Sequence, residues 1–439
     1  MHASVLSCAR VAAARGLAAL PPVLLAIALC ACRDAAPVEK SEADAESERI
    51  AQLSALAYLG SVAEERRAES RGVVVLDRER TQPGITAFGG RHGPPAGYFF
   101  DREGRELARY STRPEPGNSL LWMEPTRDGQ LLVSGRGYVA KTTWAGEILW
   151  QAEPRQYHHG FDQAPDGRVF AMAHELRAVD FAGREITISD DLVVELSSAG
   201  ATLGTISILD LLGAAAIPRR MLELAAAAAD GSAASGAELE GELAVDHPWD
   251  VFHLNSVEVL TRDLAVARRG DLLVSLRTLN LVLVIGLDPV GVRWQWGKGR
   301  KLLDRPHAPR ALANGNLLVF DNGWRRGSSR LVEVEPRSGR IVWKYVADPP
   351  ESFYTRRGGM AQPLANGNLL VTESDSGRLF ELTRGGEIVW EFWNPIFAPA
   401  KAGEAPKRKT IYRAWRWSAE ELRPAALPKA LRRALPAHG

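Results

Sequence analysis

Short apolar runs bounded by glycine-containing turns recur along most of the chain. In the clearest copies an Asp-Gly or Asn-Gly turn opens an apolar strand, and a Gly-x-Ile-x-Trp segment follows as a second strand. These copies are DGQLLVSG with GEILW, NGNLLVFDNG with GRIVW, and NGNLLVTES with GEIVW. Short apolar runs flanked by turn residues predict buried strands rather than helices. The chain is therefore predicted to consist mainly of short strands joined by tight turns.

The spacing of these turns predicts the architecture. The turns begin at Gly104, Gly146, Gly183, Gly291, Gly339 and Gly386, so successive copies lie 42, 37, 108, 48 and 47 residues apart. A repeat of roughly 40–50 residues with several strands is typical of a β-propeller blade. We predict an all-β fold with a single six-bladed β-propeller over residues 72–397. Equivalent blade positions are expected for Trp150, Trp343 and Trp390, whereas the copy that ends at Trp294 is one residue short.

The 108-residue interval contains an insertion at about residues 205–245. Its sequence predicts one or two short helices around Pro218, followed by a linker rich in Ala, Gly and Ser. We interpret it as a surface excursion. The alternative is a lid beside a functional site, because the segment leads directly into DHPWDVFHLNS. Residues 398–439 are predicted to form a basic tail, with a helix around IYRAWRWSAEEL that packs back on the propeller.

The first 32 residues are predicted to be an export signal. Arg10 and Arg15 precede the apolar run LAALPPVLLAIALCAC, which is shorter than the ~20 apolar residues that a transmembrane helix needs. The run ends in Leu-Cys-Ala-Cys, which resembles a bacterial lipobox with Cys32 as the lipid-bearing residue. The alternative is an ordinary signal peptide cleaved near Ala31.

Residues 33–71 are polar and are predicted to form a tether with one short amphipathic helix, indicated by the spacing of Ile50, Leu53, Leu56 and Leu59. The predicted location is the bacterial periplasm, with the chain anchored to a membrane through lipid. Arg33 follows Cys32 directly, so the usual inner-membrane retention signal is missing. This favours the outer membrane.

Composition excludes several classes of function. The chain has 439 residues and a formal net charge of +1, so neither a nucleic-acid partner nor an acidic tail is predicted. Its three cysteines, Cys8, Cys30 and Cys32, all lie in the predicted signal peptide. The mature protein is therefore expected to have no internal disulfide and no thiol chemistry. The sequence contains no HExxH or paired-cysteine motif, and we predict neither a metal site nor a cofactor.

Polar residues at the ends of the predicted strands are the candidates for chemistry. Three histidine-containing clusters each precede a predicted strand: YHHGFDQAPDG with His158 and His159, DHPWDVFHLNS with His253, and RPHAPRALANG with His307. Equivalent positions in successive blades converge on the central channel, so these histidines are expected to meet there. Two other histidines have simpler interpretations: His92 as a surface turn residue and His174 as a satisfied core histidine.

Together these motifs resemble the bacterial arylsulfotransferases, which are six-bladed propeller enzymes that move a sulfuryl group from one phenol to another. The resemblance rests on the His-His pair before Pro-Asp-Gly, the W-x-x-x-H-x-N-S stretch, the strand LLVSLR that ends in Arg277, and H-x-P followed by NGNLLVFDNG. It covers residues 100–395 and is sharpest over 247–323. Gly160 departs from the family pattern, because an acidic residue is common at that position.

The resemblance implies a covalent mechanism with roles for the clustered residues. His307, which opens the most specific motif, is the expected nucleophile and would form a sulfo-histidine. Arg277 and His253 would bind the sulfuryl oxygens. His159 would bind these oxygens as well or would transfer the phenolic proton. His158 is the alternative to His159 as a substrate-binding residue. A further substrate-binding candidate is Asn255, for which orientation of the His253 loop or turn capping are the alternatives.

The residue types suit this reaction. Neutral imidazole is a competent nucleophile near pH 7, and a guanidinium group offers a planar fork of donors to sulfuryl oxygens. A sulfate monoester carries a single negative charge, so a metal ion is not required to neutralise it. The resemblance also implies transfer without the nucleotide sulfate donor PAPS. The expected partners are a small aromatic sulfate donor and a phenolic acceptor.

Three other functions remain open from the sequence. The first is a non-catalytic propeller lipoprotein that binds envelope proteins. The second is a quinone-dependent dehydrogenase, which would need a calcium site and usually has eight blades. The third is a histidine-metal site.

Overall fold

The computed structural model describes residues 61–62, 69–90, 96–112, 119–229, 249–298, 302–398, 406–422 and 427–435. These residues belong to one compact unit, Ser54–Gly439. The predicted signal peptide, Cys32 and the helix predicted from the spacing of Ile50 to Leu59 lie outside the described residues. Among the helices in the described ranges, none has the length and apolar character needed to cross a membrane.

Antiparallel strands form six sheets of four or five strands, which confirms the six-bladed propeller. We number the sheets as blades 1–6 and give their strands from the first to the last. Blade 1 contains β27 (Ala414–Trp417), β3 (Ile85–Gly90), β4 (Ala96–Phe100) and β5 (Glu106–Tyr110). Blade 2 contains β6 (Trp122–Pro125), β7 (Leu131–Gly135), β8 (Tyr138–Thr142) and β9 (Ile148–Gln151). Blade 3 contains β10 (Gln156–Gln163), β11 (Val169–Phe181), β12 (Arg184–Leu196) and β13 (Thr202–Ser207).

The other three blades follow in chain order. Blade 4 contains β14 (Leu254–Val259), β15 (Leu272–Leu276), β16 (Leu281–Leu287) and β17 (Val290–Trp296). Blade 5 contains β18 (Pro306–Ala311), β19 (Leu317–Asp321), β20 (Arg330–Glu335) and β21 (Arg340–Tyr345). Blade 6 contains β22 (Met360–Pro363), β23 (Leu369–Glu373), β24 (Arg378–Leu382), β25 (Ile388–Trp393) and, as a fifth strand, β2 (Gly72–Leu76). A separate small pair joins β1 (Ser61–Val62) to β26 (Arg408–Lys409).

Burial along each blade explains the apolar repeat. The second strands β7, β15, β19 and β23 are buried at every position, because each lies between two neighbouring blades. Their side chains therefore have to be apolar on both faces. The fourth strand of blade 5, β21, alternates between exposed and half-buried residues, as expected for a strand with one face in water. The core thus consists of apolar layers between successive blades.

The tryptophans of the repeat form one kind of contact between neighbouring blades. In each case the indole Nε1–H donates a hydrogen bond to a carbonyl oxygen in an outer turn of the next blade. The pairs are Trp150 with Ser198 (3.0 Å), Trp294 with Pro336 (2.9 Å), Trp343 with Arg384 (3.0 Å) and Trp390 with Arg102 (2.7 Å). The equivalence predicted for three of these tryptophans is confirmed. Trp294 belongs to the same set, although its repeat is one residue short.

The C-terminal segment completes the ring of blades. The strand β27 pairs with β3 and supplies the first strand of blade 1. The helix predicted around IYRAWRWSAEEL is therefore wrong: Ala414–Trp417 within this stretch forms an extended strand, whose backbone groups pair with an open sheet edge. The segment does pack on the propeller, as expected from its aromatics, and Trp417 contributes to the core of blades 1 and 2. A short helix, α3 (Lys429–Ala434), follows and buries Leu431.

Blade 3 carries the insertion. The strands β11 and β12 form a long hairpin paired continuously from Val169 with Leu196 to Phe181 with Arg184. Two helices, α1 (Ile208–Leu212) and α2 (Arg219–Ala229), follow β13 and pack against β12. One-turn helices occur at Ala214–Ala216 and Pro350–Ser352. The prediction of short helices around Pro218 is confirmed.

Candidate active site

The first strands of blades 3, 4 and 5 lie next to one another, and all three are irregular. Their pairing with the second strand shifts between Tyr157 and Phe161, between Leu254 and Ser256, and between His307 and Arg310. A bulge of this kind bends the strand and re-aims its side chains. The clusters were predicted in loops before strands, but His158, His159 and His307 lie inside β10 and β18. Only His253 directly precedes its strand, β14.

Several non-glycine residues at or just before these bulges adopt a left-handed backbone. They are His159 (φ 57°), His253 (φ 54°), Arg305 (φ 61°) and Ala308 (φ 41°). This conformation costs an L-residue roughly 1–2 kcal/mol. Such residues persist only where the surrounding structure fixes them, and they are most frequent at functional sites.

The ring of His307 is fixed by hydrogen bonds at one nitrogen. Its Nδ1 lies 2.7 Å from Asn322 Oδ1 and 3.1 Å from the carbonyl oxygen of Arg305. The amide nitrogen of Asn322 donates to the carbonyl oxygens of Thr355 (2.9 Å) and Gly358 (2.8 Å), which turns Oδ1 towards the histidine. Both neighbours of Nδ1 are therefore acceptors, so Nδ1 carries the proton and the lone pair is on Nε2.

Electrostatics keep this imidazole neutral. Burial, followed by the positive charge of Arg277, holds the pKa of His307 well below its usual range. Burial and neighbouring positive groups also hold the pKa of His159 well below its usual range. At neutral pH both rings are uncharged, which is the state that a histidine nucleophile needs.

His253 is hydrogen-bonded to a carboxylate. Its Nδ1 lies 2.5 Å from Asp250 Oδ2, and both residues are buried. Burial alone would raise the pKa of Asp250, but the charge and the hydrogen bond of His253 outweigh it and lower that pKa to about 2. The pair fixes the imidazole and leaves its Nε2 on the opposite side of the ring.

The C-terminal segment also reaches the site. The hydroxyl of Tyr412 hydrogen-bonds Nδ1 of His159, and the two rings stack with 5.7 Å between centroids. The buried guanidinium of Arg413 donates to the carbonyl oxygen of Asn255. The ring of His159 lies 5.2 Å from that of His253.

Arg277 lies at the end of β15, and its side chain is buried. Its backbone N–H donates to the carbonyl oxygen of His253 (3.0 Å), which ties the two residues together within blade 4. Its charge lowers the pKa of His307 in blade 5. The structure therefore brings together His159, His253, Arg277 and His307 from three blades.

Asn255 has a structural contact. Its amide nitrogen donates to the carbonyl oxygen of Pro306 (2.9 Å), the residue that precedes His307, and Ser275 Oγ donates to the same oxygen (3.0 Å). These bonds join blade 4 to the strand that carries His307. The geometry thus favours an orienting role for Asn255.

His158 faces a different set of residues from His159. Its ring stacks on that of His174 at 4.8 Å between centroids, and its Nε2 lies 3.3 Å from Asp191 Oδ1. Burial lowers the pKa of both His158 and His174 to about 3. The interpretation of His174 as a satisfied core histidine is wrong, because its buried Nε2 has no hydrogen-bond partner among the described residues. These three side chains are the metal-ligand candidates in the described part of the chain.

Four residues of the site were not identified from the sequence: Asp250, Asn322, Tyr412 and Arg413. Two of them lie in the motifs that contain predicted site residues, since Asp250 is three positions before His253 and Asn322 is the second-last residue of NGNLLVFDNG. The other two are in a segment that was predicted to be a tail helix. Nothing local in IYRAWRW indicates that it closes blade 1 beside the histidines.

One protein-family model matches this chain. The model of the family described as arylsulfotransferase (ASST) matches residues 124–395. No curated protein matches the chain. Among solved structures, a protein of unknown function from Bacteroides caccae is 17% identical, with a TM-score of 0.44 over 71% of this chain and 94% of that one. A streptogramin B lyase is 12% identical, with a TM-score of 0.42 over 76% and 87%. A virginiamycin B lyase from Staphylococcus aureus with quinupristin is 10% identical, with a TM-score of 0.40 over 74% and 88%.

Proposed function

Because the chain belongs to the arylsulfotransferase family, we propose that it transfers a sulfuryl group from a phenolic sulfate ester to a phenolic acceptor through a sulfo-histidine at His307. One observation carries the proposal: Nδ1 of this buried, neutral imidazole faces two acceptors, which leaves the lone pair on Nε2. The donor ester brings its own sulfuryl group, so the proposed reaction needs no PAPS, and the single negative charge of the ester needs no metal ion to neutralise it.

In the first half-reaction, the lone pair of His307 Nε2 attacks the sulfur atom of the donor. An N–S bond forms, the bond between sulfur and the phenolic oxygen breaks, and that oxygen leaves with the bonding pair. Asn322 and the carbonyl oxygen of Arg305 stabilise the positive charge that develops on the ring, because both accept from Nδ1.

The non-bridging oxygens of the sulfuryl group gain negative charge in the transition state. Arg277 is suited to hold them, since its buried guanidinium presents a planar set of donors. Its positive charge is close enough to His307 to lower the pKa of that histidine. His159, which is positioned by its hydrogen bond to Tyr412, would also bind these oxygens.

The leaving phenolic oxygen needs a proton. His253, held by Asp250, is the group best suited to supply it when protonated, through the Nε2–H opposite the carboxylate. In the second half-reaction the acceptor phenol gives its proton back to His253, its oxygen attacks sulfur, and the N–S bond to His307 breaks. The proton and the charge of the site are then restored.

The experiment is a transfer assay combined with labelling of the enzyme. Wild-type protein incubated with an aryl [35S]sulfate should retain label, and an added phenol should discharge it as a new sulfate ester. His307→Ala should lose both transfer and label, while His92→Ala should keep both. His174→Ala is not a suitable control, because His174 stacks on His158 beside the site. Transfer by His307→Ala, or transfer by wild type without a labelled intermediate, would contradict the proposal.

The same assay separates the enzyme from a binding protein. A non-catalytic propeller lipoprotein would form no product with a panel of phenolic sulfates and acceptors. It would also acquire no label.

We also propose that the mature chain begins at a lipid-bearing Cys32 and is held in the periplasm, at the outer membrane. The charged start, the apolar run and the Leu-Cys-Ala-Cys end support this. Cys32→Ser should move the protein from the membrane fraction to the soluble fraction. An unchanged distribution would refute the anchor.

A further inference from the structure

A group of buried donor atoms lies where the long hairpin leaves blade 3. His174 on β11 pairs directly with Asp191 on β12, so their side chains share one face of the hairpin. On the other side of β11, His174 pairs with Gln156 of β10. His158 lies two residues after Gln156, and its ring stacks on that of His174, so it lies on the same face.

The distances within this group are short. His158 Nε2 lies 3.3 Å from Asp191 Oδ1, and the rings of His158 and His174 stack at an angle of 25°. One nitrogen from each histidine and one carboxylate oxygen all lie within 4.8 Å of one another. The exposed fractions of His158, His174 and Asp191 are 4%, 6% and 2%.

Two of the three donor atoms, the histidine nitrogens, have no hydrogen bond among the described residues. Nε2 of His158 and Nε2 of His174 are both buried and make no hydrogen bond to any described residue. A buried polar atom without a partner typically costs about 1–3 kcal/mol, and native proteins rarely leave two side by side. A bound ion that both nitrogens ligate would remove this cost.

We propose that His158, His174 and Asp191 form a binding site for a divalent transition-metal ion, with Zn²⁺ as the best match. Two imidazole nitrogens and one carboxylate oxygen are a donor set that suits Zn²⁺, whereas Ca²⁺ and Mg²⁺ prefer oxygen alone. Three protein ligands leave a fourth position of a tetrahedral ion for water.

The surroundings of Asp191 fit a ligand. Its second oxygen, Oδ2, accepts a hydrogen bond from the backbone N–H of Leu254 in blade 4 (3.0 Å), which fixes the carboxylate and leaves Oδ1 towards His158. Outer contacts of this kind orient ligands in metal sites. The ion would therefore stiffen the base of the hairpin and the bulge that carries His159. This site does not rest on the proposed sulfuryl transfer.

The test uses the full chain purified in detergent and stripped with a chelator. Titration with ZnCl₂, followed by desalting and elemental analysis, should give one tightly held ion per chain. Co²⁺ should give a visible absorption spectrum typical of a four-coordinate site. His174→Gln and Asp191→Asn each remove one ligand without a large change of volume. Each should lower Zn²⁺ affinity by more than about 100-fold, beyond the loss typical of an outer-shell partner.

The matched control is His307→Gln, which alters the central histidine group and should leave Zn²⁺ affinity unchanged. If His174→Gln fails to fold, as judged by circular dichroism, the near-isosteric Asp191→Asn carries the test. Absence of stoichiometric binding by wild type would overturn the proposal. So would loss of the ion in His307→Gln with retention in Asp191→Asn, because the ion would then lie among the central histidines.

Discussion

Replacing Asp250 with asparagine should slow sulfuryl transfer while leaving the fold intact. The substitution keeps the size of the side chain and removes only the negative charge that faces His253. Asp250 Oδ2 is 2.5 Å from His253 Nδ1, and the two side chains are 7% and 5% exposed, so solvent does little to screen the pair. Under the proposed mechanism, the variant loses the partner that keeps the imidazole ready to donate a proton.

The pKa of Asp250 gives the expected size of the effect. The ion pair lowers this pKa from 3.8 to about 2 despite burial. At ~1.4 kcal/mol per pKa unit, the difference corresponds to about 2–3 kcal/mol. A hydrogen bond to a charged group contributes a similar ~1.5–3 kcal/mol. If the whole amount is lost from the transition state, the rate falls by about 50–100-fold.

The assay is release of a chromogenic phenol from its sulfate ester at saturating acceptor, measured for Asp250→Asn and for wild type. A matched control is Glu124→Gln, which also changes a carboxyl in the first strand of a blade, where it is half-buried. Burial, followed by the charge of Asp162, raises the pKa of Glu124 to about 8. That carboxyl is already mostly protonated at pH 7, so its amide should change the rate by less than about threefold.

Stability provides a second readout for Asp250. Because its pKa is lowered on folding, the carboxylate stabilises the folded protein above pH ~4, and this stabilisation is lost as the pH falls towards 2. The unfolding free energy of Asp250→Asn should therefore approach that of wild type in acid. A normal rate for Asp250→Asn would refute the role given to the pair of Asp250 and His253. So would an equal loss of rate in Glu124→Gln.

Three further predictions concern the propeller. Trp343→Phe removes the hydrogen bond to Arg384 while keeping an aromatic ring, and should lower the free energy of unfolding by about 1 kcal/mol in denaturant titration. Deletion of residues 398–439 removes β27 from blade 1 and should yield no folded protein by circular dichroism, whereas a dispensable tail would leave the spectrum unchanged. For Glu124→Gln, the folded pKa of the lost carboxyl lies above its unfolded value of 4.5, so wild type loses stability as the pH rises from ~4.5 to ~8. The variant should therefore gain stability relative to wild type across that range, and a constant difference would contradict this.

The sequence determines the blades because each strand is specified by residues that are close together in the sequence. Tight turns and short apolar runs specify each strand within a few residues, and repetition of the pattern sets the blade number. The equivalent tryptophans follow for the same reason, since each occupies one register of one repeat. His159, His253, Arg277 and His307 could be proposed together because a propeller brings equivalent strand ends to one axis.

Only the tertiary structure decided how the ring closes and which atoms meet. The strand β27 pairs with β3, so residues as far apart as Thr86 and Arg416, 330 positions, hydrogen-bond within one blade. No local pattern encodes such a pairing, since an aromatic and basic stretch such as IYRAWRW is compatible with a helix or a strand. The available sheet edge selects the strand, and this selection places Tyr412 against His159.

The different surroundings of the adjacent His158 and His159 also depend on contacts that no local pattern encodes. A regular strand would send His158 and His159 to opposite faces, but the sequence does not show where the bulge falls or what lies on each face. The long hairpin supplies His174 and Asp191 to one side, and the C-terminal segment supplies Tyr412 to the other. Residue types and repeat spacing thus determined which side chains could take part. Their partners depended on contacts between segments that are separated in the sequence and meet only in the folded chain.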